Sequence, residues 1–256
     1  MDQKKTYRMR IAYDGTHYCG WQVQPNGRSI QAVLQEILSP IIGEPIEIVG
    51  SGRTDAGVHA LGQVAHFRSS KTLDIYRVHH SLNKLLPDDI RIFEMVEESN
   101  DFHARFGAKK KSYHYHLWLD PVQLPFQRNY SLHVRQPFDV NAVKEAASYL
   151  VGEHDFTSFA NEPGAGSVSR NPVRHLMRLD LVEQEGGVRL EFEGNGFLYK
   201  MVRNIVGTLC EVGKGKKSPA DLLRILAAKD RRTAGQAAPP HGLFLAHVVY
   251  ERDLLS

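Results

Sequence analysis

Two successive blocks of hydrophobic periodicity constrain what this chain can fold into. In the first block, alternation over residues 7–13 predicts a strand, and a helical pattern follows the capping residue Ser29. Short strand patterns at 46–49 and 63–67 surround a glycine-rich loop. A second helical pattern stops at Pro87, before a strand pattern over 90–96. The predicted order is β-α-β-β-α-β.

The second block repeats this order with one additional helix. Its patterns are a strand at 113–119, a helix capped by Asp139, a hairpin around Gly186-Gly187, helices over 197–209 and from Ser218-Pro219, and a strand at 243–250. This order is typical of a split β-α-β-β-α-β, or ferredoxin-like, unit. We therefore predict an α+β fold of two ferredoxin-like units with joined, mostly antiparallel sheets. The predicted domains are residues 1–104 and 105–256.

Composition excludes several classes of protein. With 42% hydrophobic and 24% charged residues, the chain has an ordinary globular composition rather than a disordered or fibrous one. It contains no apolar run of the ~18 residues that a membrane span needs, and its start lacks the apolar stretch of a signal peptide. We expect a cytoplasmic protein without a membrane segment. The two cysteines, Cys19 and Cys210, form no metal-binding or disulfide pattern.

The most concentrated candidate site is the loop at residues 50–60, Gly-Ser-Gly-Arg-Thr-Asp-Ala-Gly-Val-His-Ala. Its three glycines permit unusual backbone angles and the close approach of a ligand, and they surround Arg53 and Asp55. The segment is not a dinucleotide fingerprint, because Asp55 replaces the third glycine and no helix follows. The alternative is a glycine-rich hairpin whose two charged side chains are merely solvated.

A second candidate feature combines basic and aromatic residues. Arg105, Lys109, Lys110 and Lys111 directly precede a strand that carries Tyr113, Tyr115 and Trp118. Basic groups that follow phosphates, beside rings that stack on bases, suit single-stranded or looped RNA. The alternative is that the tyrosines are core residues and the cations are solvated.

Arg203 lies at the margin of a helix that is predicted to be largely buried. A buried guanidinium needs a hydrogen-bonded partner, and a carboxylate at a site would supply one. A surface arginine beside the apolar face is the alternative.

The sequence does not favour a metal site or a hydrolase. Only His114 and His116 share a strand face, without the third ligand that a metal site needs. The nucleophile elbow of serine hydrolases and the phosphate-binding P-loop are both absent. We expect no metal.

Four segments, in register along the chain, resemble the tRNA pseudouridine synthase A family. The first is Gly52 to Ala60, and the second runs from Phe102-His103-Ala104-Arg105-Phe106 to Tyr113. The third covers 194–204, and the fourth is Ala-Pro-Pro-His-Gly-Leu at 238–243. The resemblance extends from Tyr7 to Tyr250. It departs from the family pattern at Gly196 and His175, neither of which bears on the proposed chemistry.

The resemblance implies isomerisation of uridine to pseudouridine at positions 38, 39 and 40 of the tRNA anticodon stem-loop, in a central RNA-binding cleft and without a cofactor. Asp55 matches the nucleophile, and Arg203 matches a basic partner that keeps a carboxylate ionised. Tyr113 matches a tyrosine that stacks on the target base, and Arg53 matches a residue that fills the space left by a flipped base. Leu243 is expected to line the base pocket. The family resemblance also implies a homodimer.

Two other functions fit the same residues. One is a tRNA-binding protein without catalysis, although such a protein has no use for a carboxylate in an electropositive cleft. The other is a pseudouridine synthase that acts on another RNA or another position. The formal net charge of +3 conceals opposed patches, because residues 105–116 carry four bases and no acid, whereas 91–101 carry one base and four acids.

Overall fold

The computed structural model describes residues 4–25, 27–162 and 171–254. Within these residues the protein is a mixed α+β structure with five α-helices and ten strands that pair mostly antiparallel, as predicted for the fold class. The chain divides into two compact units. Unit 1 comprises Met1–Lys109 and Phe244–Ser256, and unit 2 comprises Lys110–Leu243.

Unit 1 follows the predicted order of elements. These are β1 (Lys5–Tyr13), α1 (Ile30–Ile42), β2 (Ile48–Gly50), β3 (His59–Ser69), α2 (Ile75–Leu85) and β4 (Ile90–Glu98), with most of the last strand, β10 (Leu243–Val249), added from the chain's end. β1 lies between β4 and β3 and is antiparallel to both. The other edge of β3 is shared, because β2 pairs with it at Ala65–Phe67 and β10 pairs with it in parallel at His59 and Ala60.

The C-terminal strand explains how the units differ from the predicted domains. The predicted boundary followed residue 104, and everything beyond it formed the second domain. In the structure, unit 1 continues to Lys109 and also takes residues 244–256. The parallel pairing of Phe244 and Leu245 with β3 attaches this segment to unit 1. Such a return of the chain is a long-range pairing that local periodicity does not reveal.

The first helix forms where its capping residues predict. Ser29 accepts a hydrogen bond from the Ala32 N–H at 3.3 Å, which satisfies one of the first turn's unpaired donors. The helix passes through Pro40 and ends at Gly43 with a left-handed φ of 76°. Because proline has no N–H, α1 forms without the hydrogen bond that this position would donate to the carbonyl of residue 36.

Strand alternation produces the core of unit 1. Tyr7, Met9 and Ile11 on β1 are fully buried. From α1 the residues Ile30, Leu34 and Leu38 are also fully buried, as the helical spacing predicted. At about 1.5–3 kcal/mol for each buried side chain, these residues supply much of the unit's stability.

Unit 2 contains the remaining elements. They are β5 (Lys110–Trp118), β6 (Leu132–His133), α3 (Val140–Ser148), β7 (Gly152–Asp155), β8 (Val173–Gln184), β9 (Gly187–Gly194), α4 (Met201–Gly213) and α5 (Asp221–Ala228). The antiparallel order is β5-β9-β8-β7, and β6 adds to β5 in parallel. Helix α3 packs against α4 and β8.

Capping and turn residues again determine local structure in unit 2. Asp139 caps α3 by accepting from the Ala142 N–H at 2.9 Å, and Gly186 provides the left-handed turn residue of the β8–β9 hairpin at φ 71°. Helix α3 ends at Ser148, and Gly152 begins the short strand β7, which the periodicity did not predict.

A buried histidine attaches the segment after β4 to the sheet of unit 1. His66 on β3 is 4% exposed, and its Nδ1 accepts a hydrogen bond from the Ala104 N–H at 3.2 Å. Ala104 is itself fully buried against Val64 and Tyr250. Burial, together with the nearby His103 and Arg68, lowers the pKa of His66 from 6.5 to about 4. His66 is therefore neutral at pH 7, as an accepting Nδ1 requires.

This histidine makes stability depend on pH. Because its pKa is lower in the folded than in the unfolded chain, its contribution is complete above pH 6.5 and is lost as the pH falls towards 4. We expect the free energy of unfolding to drop by on the order of 2–3 kcal/mol across this range. Urea denaturation of the H66Q variant should show a shallower dependence, whereas the exposed His80→Gln control should keep the full slope. Equal slopes in H66Q and the unmodified protein would contradict this assignment.

Candidate functional site

Asp55 occupies the first position of a tight turn that precedes β3. The Val58 N–H donates to the Asp55 carbonyl oxygen at 3.1 Å, and Gly57 has a φ of 75°, as the third residue of a type II turn requires. Asp55 is half-buried and Ala56 is exposed. The turn therefore places one carboxylate at a surface of unit 1 on a defined backbone.

A buried polar network fixes the backbone on the N-terminal side of this turn. The Tyr13 hydroxyl lies 2.8 Å from Thr54 Oγ1, and Ser51 Oγ donates to Gln63 Oε1 at 2.7 Å. Gln63 Nε2 in turn donates to the Gly52 carbonyl at 3.1 Å. All four of these side chains are buried, and burial raises the pKa of Tyr13, so its hydroxyl keeps its proton. A satisfied network of this kind permits little movement of residues 51–54.

The segment 14–21 packs directly against the loop, backbone to backbone. The Trp21 N–H donates to the Thr54 carbonyl at 3.1 Å, and the Gly57 N–H donates to the Tyr18 carbonyl at 3.3 Å. A Cβ on Gly20 would lie 2.5 Å from the Thr54 oxygen, and one on Gly15 would lie 2.0 Å from the Val58 oxygen. Only glycine allows these approaches.

Sequence reasoning missed this support for the Asp55 loop. The sequence patterns gave Gly15, Gly20 and Trp21 no part in the site. The sequence did contain a signal for a close backbone approach, because two glycines five residues apart follow the first predicted strand. In the structure that strand pairs with β3. A β-bulge between Ile11 and Tyr13 also lies here, and bulges are frequent beside functional sites.

Arg53 lies on the exposed side of the loop. Its side chain donates from Nε to Gln22 Oε1 at 3.2 Å. Although it is only two residues from Asp55, it belongs to the exposed surface of unit 1 rather than to the buried network. An exposed guanidinium of this kind can reorient towards a large ligand at little energetic expense.

The predicted substrate-binding residues other than Arg53 lie in unit 2. Tyr113 is 8% exposed on β5, where its ring meets Phe197 edge-on at 5.0 Å. Leu243, the last residue of this unit, is 5% exposed. The alternative that the strand tyrosines are core residues holds fully for Tyr115, which is completely buried and donates to the Pro239 carbonyl at 2.8 Å.

Arg203 is hydrogen-bonded at two points to the segment that leads to Leu243. Its Nε donates to the Ala238 carbonyl at 2.8 Å, and its own carbonyl accepts from the Ala238 N–H at 2.9 Å. Gly207, one turn further along α4, allows the Gln236 carbonyl to approach, since a Cβ there would lie 1.7 Å from that oxygen. The half-buried Arg203 is therefore a held side chain rather than a loosely solvated one.

The four predicted RNA-backbone residues differ in their surroundings. Arg105 is exposed and lies over the ring of Phe106. Lys109 pairs with Glu251 at 3.1 Å, and Lys110 pairs with Glu193 at 3.0 Å. Lys111 is half-buried. Contact with RNA phosphates stays a prediction for all four.

The described residues contain neither a metal-binding cluster nor a membrane-spanning helix. Across 4–25, 27–162 and 171–254, no three His, Cys, Asp or Glu side chains are grouped so that they could hold a metal ion. In the same part of the chain, no helix has the length and apolar character needed to cross a membrane.

Comparison with known proteins identifies the family. A family model described as tRNA pseudouridine synthase matches residues 9–107 and 146–251, which include the Asp55 loop and Arg203. The chain belongs to the tRNA pseudouridine synthase family. The resemblance noted from the four sequence segments is thereby confirmed.

Individual relatives in this family are similar over nearly their whole length. The chain is 56% identical over 248 residues to tRNA pseudouridine synthase A 1 of Protochlamydia amoebophila, covering 96% of this chain and 97% of the relative. It is 51% identical over 245 residues to tRNA pseudouridine synthase A of Chlamydia trachomatis serovar A, covering 94% and 91%. The corresponding protein of an Exiguobacterium species is 45% identical, with coverage of 96% and 98%.

The close packing at Gly20 leads to a stability prediction. G20A introduces a side chain at φ 103°, 2.5 Å from the Thr54 oxygen, whereas G152A introduces one at φ 118° with only an ordinary contact at 3.4 Å. Positive-φ strain alone is expected to reduce stability by about 1–3 kcal/mol, so G152A measures that contribution. We expect urea denaturation to show a clearly larger loss for G20A. Similar losses in the two variants would show that segment 14–21 does not depend on its contact with Thr54.

Proposed function

We propose that this protein isomerises uridine to pseudouridine at positions 38, 39 and 40 in the anticodon stem-loop of tRNA, in the cytoplasm. The observation that carries the proposal is the Asp55 turn, in which a half-buried carboxylate sits on a backbone fixed by the network of Tyr13, Thr54, Gln63 and Ser51. Membership of the tRNA pseudouridine synthase family supplies the reaction class.

Asp55 is the proposed nucleophile. The isomerisation must break the C1′–N1 glycosidic bond, rotate the base and rejoin it to the ribose through C5. The carboxylate attacks C1′ of the ribose, attacks C6 of the base, or assists formation of a glycal, and each of these routes requires it to be ionised. A turn with fixed geometry favours any of them, because a positioned nucleophile avoids much of the entropy loss of a bimolecular encounter.

The target base must leave the RNA stack before it can react. Unstacking and unpairing require a few kcal/mol, which contacts with the rest of the RNA must offset. We propose that Tyr113 stacks on the extruded base, that Arg53 occupies the space it leaves, and that Arg203 and Leu243 also bind the substrate. The exposure of Arg53 and the fixed position of Arg203 agree with these roles.

Arg105, Lys109, Lys110 and Lys111 are proposed to contact the RNA backbone. For Lys109 and Lys110 this means exchanging the carboxylates of Glu251 and Glu193 for phosphates. Exposed ion pairs are worth only about 0–1 kcal/mol, so this exchange presents a small barrier for the Lys109 pair. Lys110 and Glu193 are less exposed, and their pair is expected to persist longer.

Two structural details belong to the same proposal. The order β4-β1-β3-β2 in unit 1, with helices after the first and third strands, supports a ferredoxin-like arrangement. The homodimer is proposed on the family resemblance.

The nucleophile assignment is tested by a substitution that removes only the charge. We expect D55N to lower pseudouridine formation in a tRNA transcript by at least about 10³-fold, because the nucleophile is lost, while tRNA binding changes little. D74N is the matched control, since Asp74 caps α2 and asparagine caps equally well. Near-normal turnover by D55N would exclude Asp55 as the nucleophile, and loss of tRNA binding would indicate a structural role instead.

A further inference from the structure

Unit 1 has a cavity beside β2 and the distal half of β3. Its volume is about 660 Å³, and it is lined on one side by His66 and Arg68 of β3 and by His103. His66 and Arg68 lie seven and nine residues beyond His59, where β3 emerges from the Asp55 turn. At roughly 3.4 Å per strand residue, His66 and Arg68 lie about 24–30 Å along the strand from His59, whereas Val49, which also lines the cavity, is only six residues before Asp55.

The charges at this cavity favour an anion. Lys4 and Arg68 supply two cations, and Glu47 supplies one carboxylate. Arg68 donates from Nη2 to the Asn100 carbonyl at 3.2 Å, which holds its side chain beside the segment that follows β4. At pH 7 both histidines are neutral, since the pKa of each is lowered by burial and by Arg68. The formal charge of the lining is therefore +1.

An exposed aromatic ring adjoins the cavity through His103. Phe106 is 78% exposed, and its ring lies 4.3 Å from that of His103 at an angle of 33°. The Arg105 guanidinium lies 5.8 Å from the Phe106 centroid. His103 Nδ1 accepts from the N–H groups of Arg105 and Phe106, so this turn is rigid rather than a loose tail. The presented ring is thus pre-ordered for a flat ligand.

We propose that this face of unit 1 is a second RNA-binding site, in which a base stacks on Phe106 and a neighbouring phosphate binds at Lys4 and Arg68. A flat exposed ring beside cations is the combination with which proteins bind unpaired nucleotides. The inference rests on the proposed function only in taking tRNA as the RNA.

The distance along β3 determines which part of the RNA is bound. At about 3.4 Å per stacked nucleotide, 24–30 Å corresponds to roughly seven to nine nucleotides. A single nucleotide at Asp55 therefore cannot also reach Arg68. The second site contacts a part of the tRNA remote from the uridine that reacts, and it strengthens binding of the full-length molecule more than that of an isolated anticodon stem-loop.

The test compares the affinity of both RNAs for variants and matched controls by fluorescence anisotropy, a readout that does not depend on turnover. F106A is paired with Y76A, because Tyr76 on α2 is 77% exposed, and R68A is paired with R77A, an exposed arginine on the same helix. We expect F106A to weaken binding of full-length tRNA about tenfold or more and to leave the stem-loop affinity unchanged. R68A should reduce the slope of log affinity against log salt by about one. E47Q should tighten binding, because it removes the opposing charge.

Three results would overturn the second site. They are an unchanged full-length affinity in F106A, an equal loss for both RNAs, and a loss in Y76A as large as that in F106A. These results can be obtained even if the enzyme is inactive, because the experiment measures RNA binding rather than turnover. Failure of the catalytic proposal would be detected separately, in the D55N experiment.

Discussion

The chemistry proposed for this protein depends on the fixed backbone around Asp55. Two kinds of interaction produce it: a buried, hydrogen-bonded network beneath residues 51–54, and the direct backbone approach of segment 14–21 at Gly15 and Gly20. The network fixes the orientation of the loop, because the Gln63 amide accepts a hydrogen bond from Ser51 and donates one to the Gly52 carbonyl. The two glycines allow segment 14–21 to lie close to the Asp55 loop, because a Cβ at either position would push the two backbones apart. A carboxylate on such a loop is positioned before substrate arrives, so little of the binding energy is needed to order it.

Much of the fold could be predicted from patterns of residues close together in the sequence. The features that were missed depend on contacts between residues far apart in the sequence. The capping residues Ser29 and Asp139 and the hairpin at Gly186 are confirmed, because each acts within a few residues of itself. The parallel pairing of β10 with β3 was not predicted, since it joins residues more than 180 positions apart. In the candidate site, glycine content identified the loop itself. The support from Gly20 was missed, because a glycine's value depends on which backbone approaches it.

The basic residues show the same limit of prediction from sequence. The basic cluster at 105–111 was visible in the sequence, but its electrostatic effect depends on the partners that folding supplies. Lys109 and Lys110 each pair with a carboxylate, which partly cancels their positive field. Arg68 and Lys4 attracted no attention in the sequence, yet the structure brings them to one cavity beside the ring system of His103 and Phe106. Net charge therefore says little about where this protein meets RNA, whereas the placement of individual cations says much.

We propose that the Asp55 loop serves uridine isomerisation in the anticodon stem-loop of tRNA. The most direct measurement is to incubate the purified protein with an unmodified tRNA transcript, without added metal or cofactor, and to map pseudouridine at single-nucleotide resolution. We expect conversion confined to uridines at positions 38, 39 and 40. Pseudouridine at other positions, or none at all in a transcript that the protein binds, would contradict it.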